Sequence, residues 1–336
     1  MTKELSNKIK LISLICTIMV VYRHSHTMQA FGGNICDNNW NLYHFIGQGF
    51  TYITSIAVPY FFLISGFFFF KQSYYIGNNY WLMLKKKFKT LFIPFIIWNL
   101  IAFFPLLYFG KVEIENNWWM FFINLLHSDF NGPLWYVRTL MLLMLLSPLY
   151  DWIFILEHYV GKKIEIIIQI IIITYIIYIW WPMDSKVLST EGWLFFLLGG
   201  IIRKHEILLE WQMNKICATL FYSFWIITCF FIIPNYWINK LHLILGVFLF
   251  WHIIRINCKK WVFSLAGYSF FIYVNHFILL KIIKTILAYY FYGNEYAAIL
   301  TFLLSPLCAI WIIWKIGKVW YSISPNSFNL VTGGRS

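Results

Sequence analysis

Residues 8–26 read KIKLISLICTIMVVYRHSH. Lys8 and Lys10 stand at one end, an apolar run fills the middle, and Arg23, His24, Ser25 and His26 close the other end. At 1.5 Å per residue, such a run carries a helix through most of the hydrocarbon core of a bilayer. Ionisable groups at the far end of a membrane helix are costly to insert, so the cluster marks a candidate functional site. The next residues, Thr27, Met28, Gln29, Ala30 and Phe31, offer no small-x-small cleavage signal, so the segment reads as a retained first helix and not a leader peptide.

The rest of the chain has the same character. It is 61% apolar, 22% aromatic and only 12% charged, with a mean hydropathy of +0.69. A soluble domain averages about 25% charged residues. Further apolar segments at 49–70, 89–109, 133–155, 164–181, 188–202, 215–234, 241–255, 262–282 and 295–316 follow the first, at 9–29. These predict an all-α, polytopic membrane helix bundle of about ten transmembrane helices. A single domain is expected over residues 1–320, and a disordered tail over 321–336.

The basic residues orient this bundle. Lys111, Lys186 and Lys240 fall in loops on one side, and Arg23, Arg138, Lys281 and Lys284 fall within spans. The other lysines and arginines gather on the side shared with both termini, which predicts cytoplasmic termini by the positive-inside rule. The net charge of +13 is therefore topological and gives no reason to expect nucleic-acid binding. Residues 30–48 read as a polar, aromatic outer loop. Trp118, Trp119, Trp180 and Trp181 read as interfacial aromatics. No pair of the six cysteines has metal-ligand spacing, so no metal site is expected.

Helical counting puts three ionisable groups at one height. His24 lies roughly 21 Å above Lys10, and His276 roughly 21 Å above Val262. Arg138, entering from the opposite side after Pro133, lies about 22 Å up in a core about 30 Å thick. They could share one polar cavity. At 100° per residue Ser13 falls within about 20° of His24, and Lys10 about 40° away, one turn lower. Cys16, Thr17 and Val20 lie on the same side, as if lining a path towards the cytoplasm. His26 faces roughly opposite and reads as a headgroup-level histidine. All acidic residues fall in loops or at span ends, which argues against a proton-coupled carrier and against a Ser-His-Asp triad. Lys85, Lys86, Lys87 and Lys89 read either as anchors on anionic lipid or as a site for a phosphate-bearing donor.

Several stretches resemble acyltransferase family 3, the bacterial integral-membrane O-acyltransferases. IMVVYRHSH resembles the family's first-helix ending, and AVPYFFLISGFFFF (57–70) its second-helix signature. KKKFKTLFIPFIIWN (85–99) is similar to its basic element before a proline-containing helix, and GPLWYVRTLMLLMLLSPL (132–149) to its Trp-led fourth helix. FFLLGGIIRK (195–204) and SFFIYVNHFILL (269–280) resemble later signatures. Two positions depart from the pattern. Ser13 stands where the family has arginine, with Lys10 as its nearest substitute, and lysines Lys86 and Lys89 replace a pair that is usually arginine.

The resemblance implies an inner-membrane, multi-pass O-acyltransferase with acetyl-CoA as co-substrate and no permanently bound cofactor. It would move an acetyl group to a hydroxyl of a cell-surface or lipid-linked glycan. His24 would be the general base, and Arg138 or His276 would stabilise the oxyanion. Lys86, Lys89, Lys10 and Ser13 would hold the donor, and Trp135, Tyr273 and Asn275 would meet the acceptor. The partners expected are membrane lipid, acyl-CoA and glycan. A transporter or flippase for polysaccharide or lipid-linked sugar is the alternative reading. The acyl group, the acceptor and the oligomeric state are not legible in the chain.

Overall fold

A computed structural model describes residues 3–34, 36–70, 79–108, 118–179, 189–205, 213–232, 235–254 and 260–334. Trp180, Trp181, Lys111 and Lys186 lie outside these. In chain order the helices are α1 (Lys3–Arg23), α2 (Asn41–Ser55), α3 (Ala57–Phe69), α4 (Asn79–Lys87), α5 (Ile93–Tyr108), α6 (Trp118–His127), α7 (Trp135–Leu145) and α8 (Glu157–Val160). They continue as α9 (Lys162–Ile179), α10 (Thr190–His205), α11 (Lys215–Cys229), α12 (Tyr236–Ile253), α13 (Lys260–Gly267), α14 (Ser269–Tyr290), α15 (Glu295–Ile323) and α16 (Pro325–Thr332). No strand occurs among the described residues.

Each apolar segment picked out by composition contains a helix. By length and composition five helical stretches can cross a membrane: Lys3–Arg23, Asn38–Phe69, Tyr80–Tyr108, Ser269–Tyr290 and Glu295–Ile323. Gly132–Leu145 and Lys215–Cys229 are shorter apolar helices. Several expected boundaries move. The first helix stops at Arg23 instead of running to residue 29. The segment 133–155 is helical only to Leu145 and then breaks into short 3₁₀ turns at Ser147–Leu149 and Asp151–Phe154. Pro148 lacks the N–H that would continue the helix.

Two compact units divide the chain. The first comprises Met1–Val58 and Gln212–Phe328, with the last two residues; the second comprises Pro59–Trp211 and Asn329–Gly334. Within the first, α1 packs against α2, α13, α14 and α15. The expected outer loop at 30–48 is in part a core. Phe31, Trp40 and Tyr43 are buried together with Ala288, Ala298 and Phe302, and α2 already begins at Asn41. Asparagines start the helices here: Asn214, Asn235 and Asn294 accept from the backbone N–H groups of Ile216, Ile238 and Ala297 at 3.0, 3.2 and 3.0 Å. Where disorder was expected after residue 320, α15 continues to Ile323 and α16 follows. Phe328 is fully buried against Tyr268, Phe271 and Trp320, and this burial orders the segment.

The second unit is held by a close helix crossing and a buried ion pair. A Cβ at Gly66 of α3 would stand 1.9 Å from the carbonyl oxygen of Phe196, and one at Gly199 of α10 would stand 2.0 Å from that of Leu63. Only glycine permits this approach, the small-residue contact that membrane helices use in place of a hydrophobic driving force. Glu165 on α9 is fully buried and paired with the ammonium of Lys204 on α10. Lys204 also donates to the Phe154 carbonyl at 2.7 Å, and Gln169 to Glu165 at 3.0 Å, so the buried charges are compensated. Lys85 to Lys89, expected in a loop, lie instead in the last turn of α4 and in a π-helical turn at Phe88–Phe92. Pro94 has no N–H for the carbonyl of Thr90, and the widened turn accommodates that loss.

Candidate functional site

The site in the first unit begins where α1 ends. After Arg23 the chain leaves the helix, and its last carbonyls need donors from elsewhere. Those of Val20, Val21 and Tyr22 find them in the N–H groups of His24 and Ser25, and the Lys284 ammonium of α14 donates to carbonyls just past the helix, those of His24 and His26, each at 3.1 Å. A cation at a helix C-terminus is also favoured by the helix dipole. Ser25, fully buried, donates to the carbonyls of Tyr22 at 2.8 Å and Phe302 at 3.3 Å. Thr27 donates through its hydroxyl to the Ala298 carbonyl at 2.8 Å, and its N–H meets the Tyr43 hydroxyl at 2.6 Å. The turn after α1 is thus tied to α2, α14 and α15 by polar bonds.

This anchoring brings two of the expected site residues together. His276 Nε2 lies 3.3 Å from His24 Nδ1, with ring centroids 5.2 Å apart. His24 Nδ1 also lies 2.9 Å from the Val20 carbonyl, and His276 Nδ1 lies 2.6 Å from the Tyr273 carbonyl. His276 is fully buried, whereas His24 is half-buried. Arg23 donates to the Thr51 carbonyl at 3.0 Å. His26, read from the sequence as a headgroup-level side chain, instead stacks on Phe302 at 5.1 Å and meets the Thr51 hydroxyl at 3.2 Å.

The neighbouring expectations come out unevenly. Tyr273 is buried with its ring 6.0 Å from that of His276, and Asn275 donates to the Phe271 carbonyl at 2.9 Å. The column below His24 is packing surface more than passage: Cys16, Thr17 and Val20 are buried, and the Thr17 hydroxyl is occupied by the Ser13 carbonyl at 2.8 Å. Ser13 is half-buried and Lys10 exposed. Sequence counting placed Lys284 in a span without giving it a task. The sign of one was there: an ammonium in an apolar helix, two turns beyond His276, needs a partner.

The remaining expected residues belong to the second unit. Arg138 on α7 donates to the His127 carbonyl of α6 at 2.5 Å. Its side chain and His127 line a largely apolar cavity of about 380 Å³ with Phe92, Phe95, Ile123 and Met141. Trp135, one turn earlier, lies with its ring 6.3 Å from that of Phe62. Lys86 and Lys89 are exposed. No cluster of histidine, cysteine and acidic residues fit to hold a metal occurs among the described residues.

The family model for the acyltransferase domain of acyltransferase family 3 matches residues 7–316. The chain belongs to this family. The match takes in both helices of the histidine pair and both sides of the glycine crossing. A curated relative is the succinoglycan biosynthesis protein ExoH of Rhizobium meliloti (strain 1021), 24% identical over an alignment that covers all of this chain and 94% of the relative. No solved structure matches. As a member of this family the protein is an acyltransferase and an integral membrane protein, in keeping with its apolar helices.

Proposed function

We propose that the protein is a polysaccharide O-acyltransferase of the bacterial inner membrane, moving an acetyl group from cytoplasmic acyl-CoA to a hydroxyl of a cell-surface or lipid-linked glycan. The observation that carries this reading is the His24–His276 contact at the end of α1, in a chain of the acyltransferase family. The name of the relative, a succinoglycan biosynthesis protein, supports a polysaccharide acceptor.

In this reading ten spans alternate across the membrane with both termini in the cytoplasm. Lys86 and Lys89, exposed and adjacent to Lys85, take the phosphates of the donor as point charges on that side. Lys10 and Ser13, on α1 before His24, contribute to donor binding. Neutral His24 removes the proton from the acceptor hydroxyl, and the oxygen adds to the thioester carbonyl. Arg23 and Lys284, the cations beside His24, favour the oxyanion so formed. The intermediate collapses to the ester, and the CoA thiolate leaves and takes the proton from the His24 imidazolium. Tyr273 and Asn275 flank this point on the acceptor side.

Mass spectrometry of surface glycans tests the reading. Cells carrying the wild-type gene should show acetyl esters that are absent without the gene and absent with His24→Ala. A succinyl mass in place of acetyl would change the donor and leave the enzyme class. Identical glycans in all three strains would remove the proposal.

A further inference from the structure

The positions of four atoms decide which nitrogen of His24 is the base. A carbonyl oxygen can only accept, so His24 Nδ1, 2.9 Å from the Val20 carbonyl, carries a hydrogen. By the same logic His276 Nδ1, 2.6 Å from the Tyr273 carbonyl, carries one too. In neutral imidazoles Nε2 is then the lone-pair nitrogen of both rings. The single Nδ1–H of His24 is thus shared between two acceptors, the Val20 carbonyl at 2.9 Å and His276 Nε2 at 3.3 Å.

From this we infer that His276 is a positioning residue that, together with the Val20 carbonyl, holds the His24 ring in the orientation and tautomer whose Nε2 is free to act as base. This inference rests on the acyltransferase reading above and gives His276 a different task from oxyanion stabilisation. It fills the place that a carboxylate takes in other histidine-based sites, orienting the ring and accepting from the nitrogen that does not react. A neutral acceptor suits this location because a buried carboxylate would carry a full charge into the apolar interior. The other charged or titratable groups acting on His24 are Arg23 and Lys284; His26 lies two residues on, with its own bond to Thr51. When the acceptor hydroxyl gives its proton to His24 Nε2, the Nδ1–H bond to His276 remains, and the proton later leaves with the CoA thiol. His276 itself neither gains nor loses a proton.

Two measurements test this. First, ¹⁵N-histidine NMR of the purified protein at neutral pH, with signals assigned through His24→Ala and His276→Gln, should show Nδ1–H for both residues. An Nε2–H signal on His24 overturns the inference. Second, His276→Leu should lower kcat by about 10²-fold with the donor KM unchanged, the scale of a misplaced reacting group. His276→Gln, whose side-chain oxygen can accept at the Nε2 position, should recover most of that loss. A Gln variant as slow as the Leu variant, both folded and inserted, overturns it, because His276 would then be handling a proton. A Leu variant with wild-type kcat also overturns it, while an inactive His24→Ala keeps the enzyme reading intact. Full activity in His24→Ala, by contrast, removes the enzyme reading itself.

Discussion

Stretches that resemble family signatures end in two different kinds of structure. IMVVYRHSH, in the first unit, ends in a junction of hydrogen bonds: two imidazoles in contact, an ammonium capping a helix, and a serine and a threonine tied to neighbouring carbonyls. FFLISG and FFLLGG, in the second unit, end in glycines whose only property in use is the lack of a Cβ. The first pattern is written by chemistry and the second by how closely two backbones must approach. A shared signature therefore does not by itself mark a reacting residue; its atoms and their partners do.

This contrast is open to direct attack by substitution. His24→Ala should leave the protein inserted and as heat-stable as the wild type but lower kcat by about 10²–10⁴-fold, the contribution of a general base. Steady-state kinetics beside a thermal unfolding curve would show it; equal kcat would reduce the junction to scaffolding. Gly199→Ala should do the reverse. Its new methyl meets the Leu63 carbonyl, so stability in detergent should fall by about 1–3 kcal/mol. Protein that still folds should retain its donor KM. An unchanged melting curve would mean that the crossing is looser than described.

Lys284→Met sharpens the comparison from the other side, since the ammonium serves both helix end and site. It should cost up to about 2 kcal/mol, as for a cation lost from a helix C-terminus, and should also lower kcat. A variant that loses stability alone would confine Lys284 to capping. The smallest effect belongs to the exposed lysines. Lys86→Ala with Lys89→Ala should raise the donor KM by about tenfold, or 1.4 kcal/mol, with kcat unchanged. An unaltered donor KM would leave them as topological anchors.

Much of this was legible in the chain, and the reasons are physical. Apolar length marks membrane helices because a bilayer tolerates no unpaired backbone, so each segment chosen by composition contains a helix. Counting at 1.5 Å per residue placed His24 and His276 at one height, and the two rings meet. What counting could not show was direction. The pairing of His276 with His24 at Nδ1 depends on the turn after Arg23, where the helix stops early, and no periodicity predicts that stop. Lys284 was visible as a charge but not as a cap, because its partners are main-chain carbonyls that every residue has. The tail was misjudged for a related reason. Its terminal position suggested disorder, yet Phe328 and Val331 are buried and dock a short helix.

The most direct measurement uses wild-type protein in sealed vesicles, with [¹⁴C]acetyl-CoA on the lysine-rich side and glycan on the other. The account predicts alkali-labile label on the glycan, made by the wild type and not by His24→Ala. Glycan that crosses the membrane unlabelled, or label that appears equally with both proteins, would contradict it.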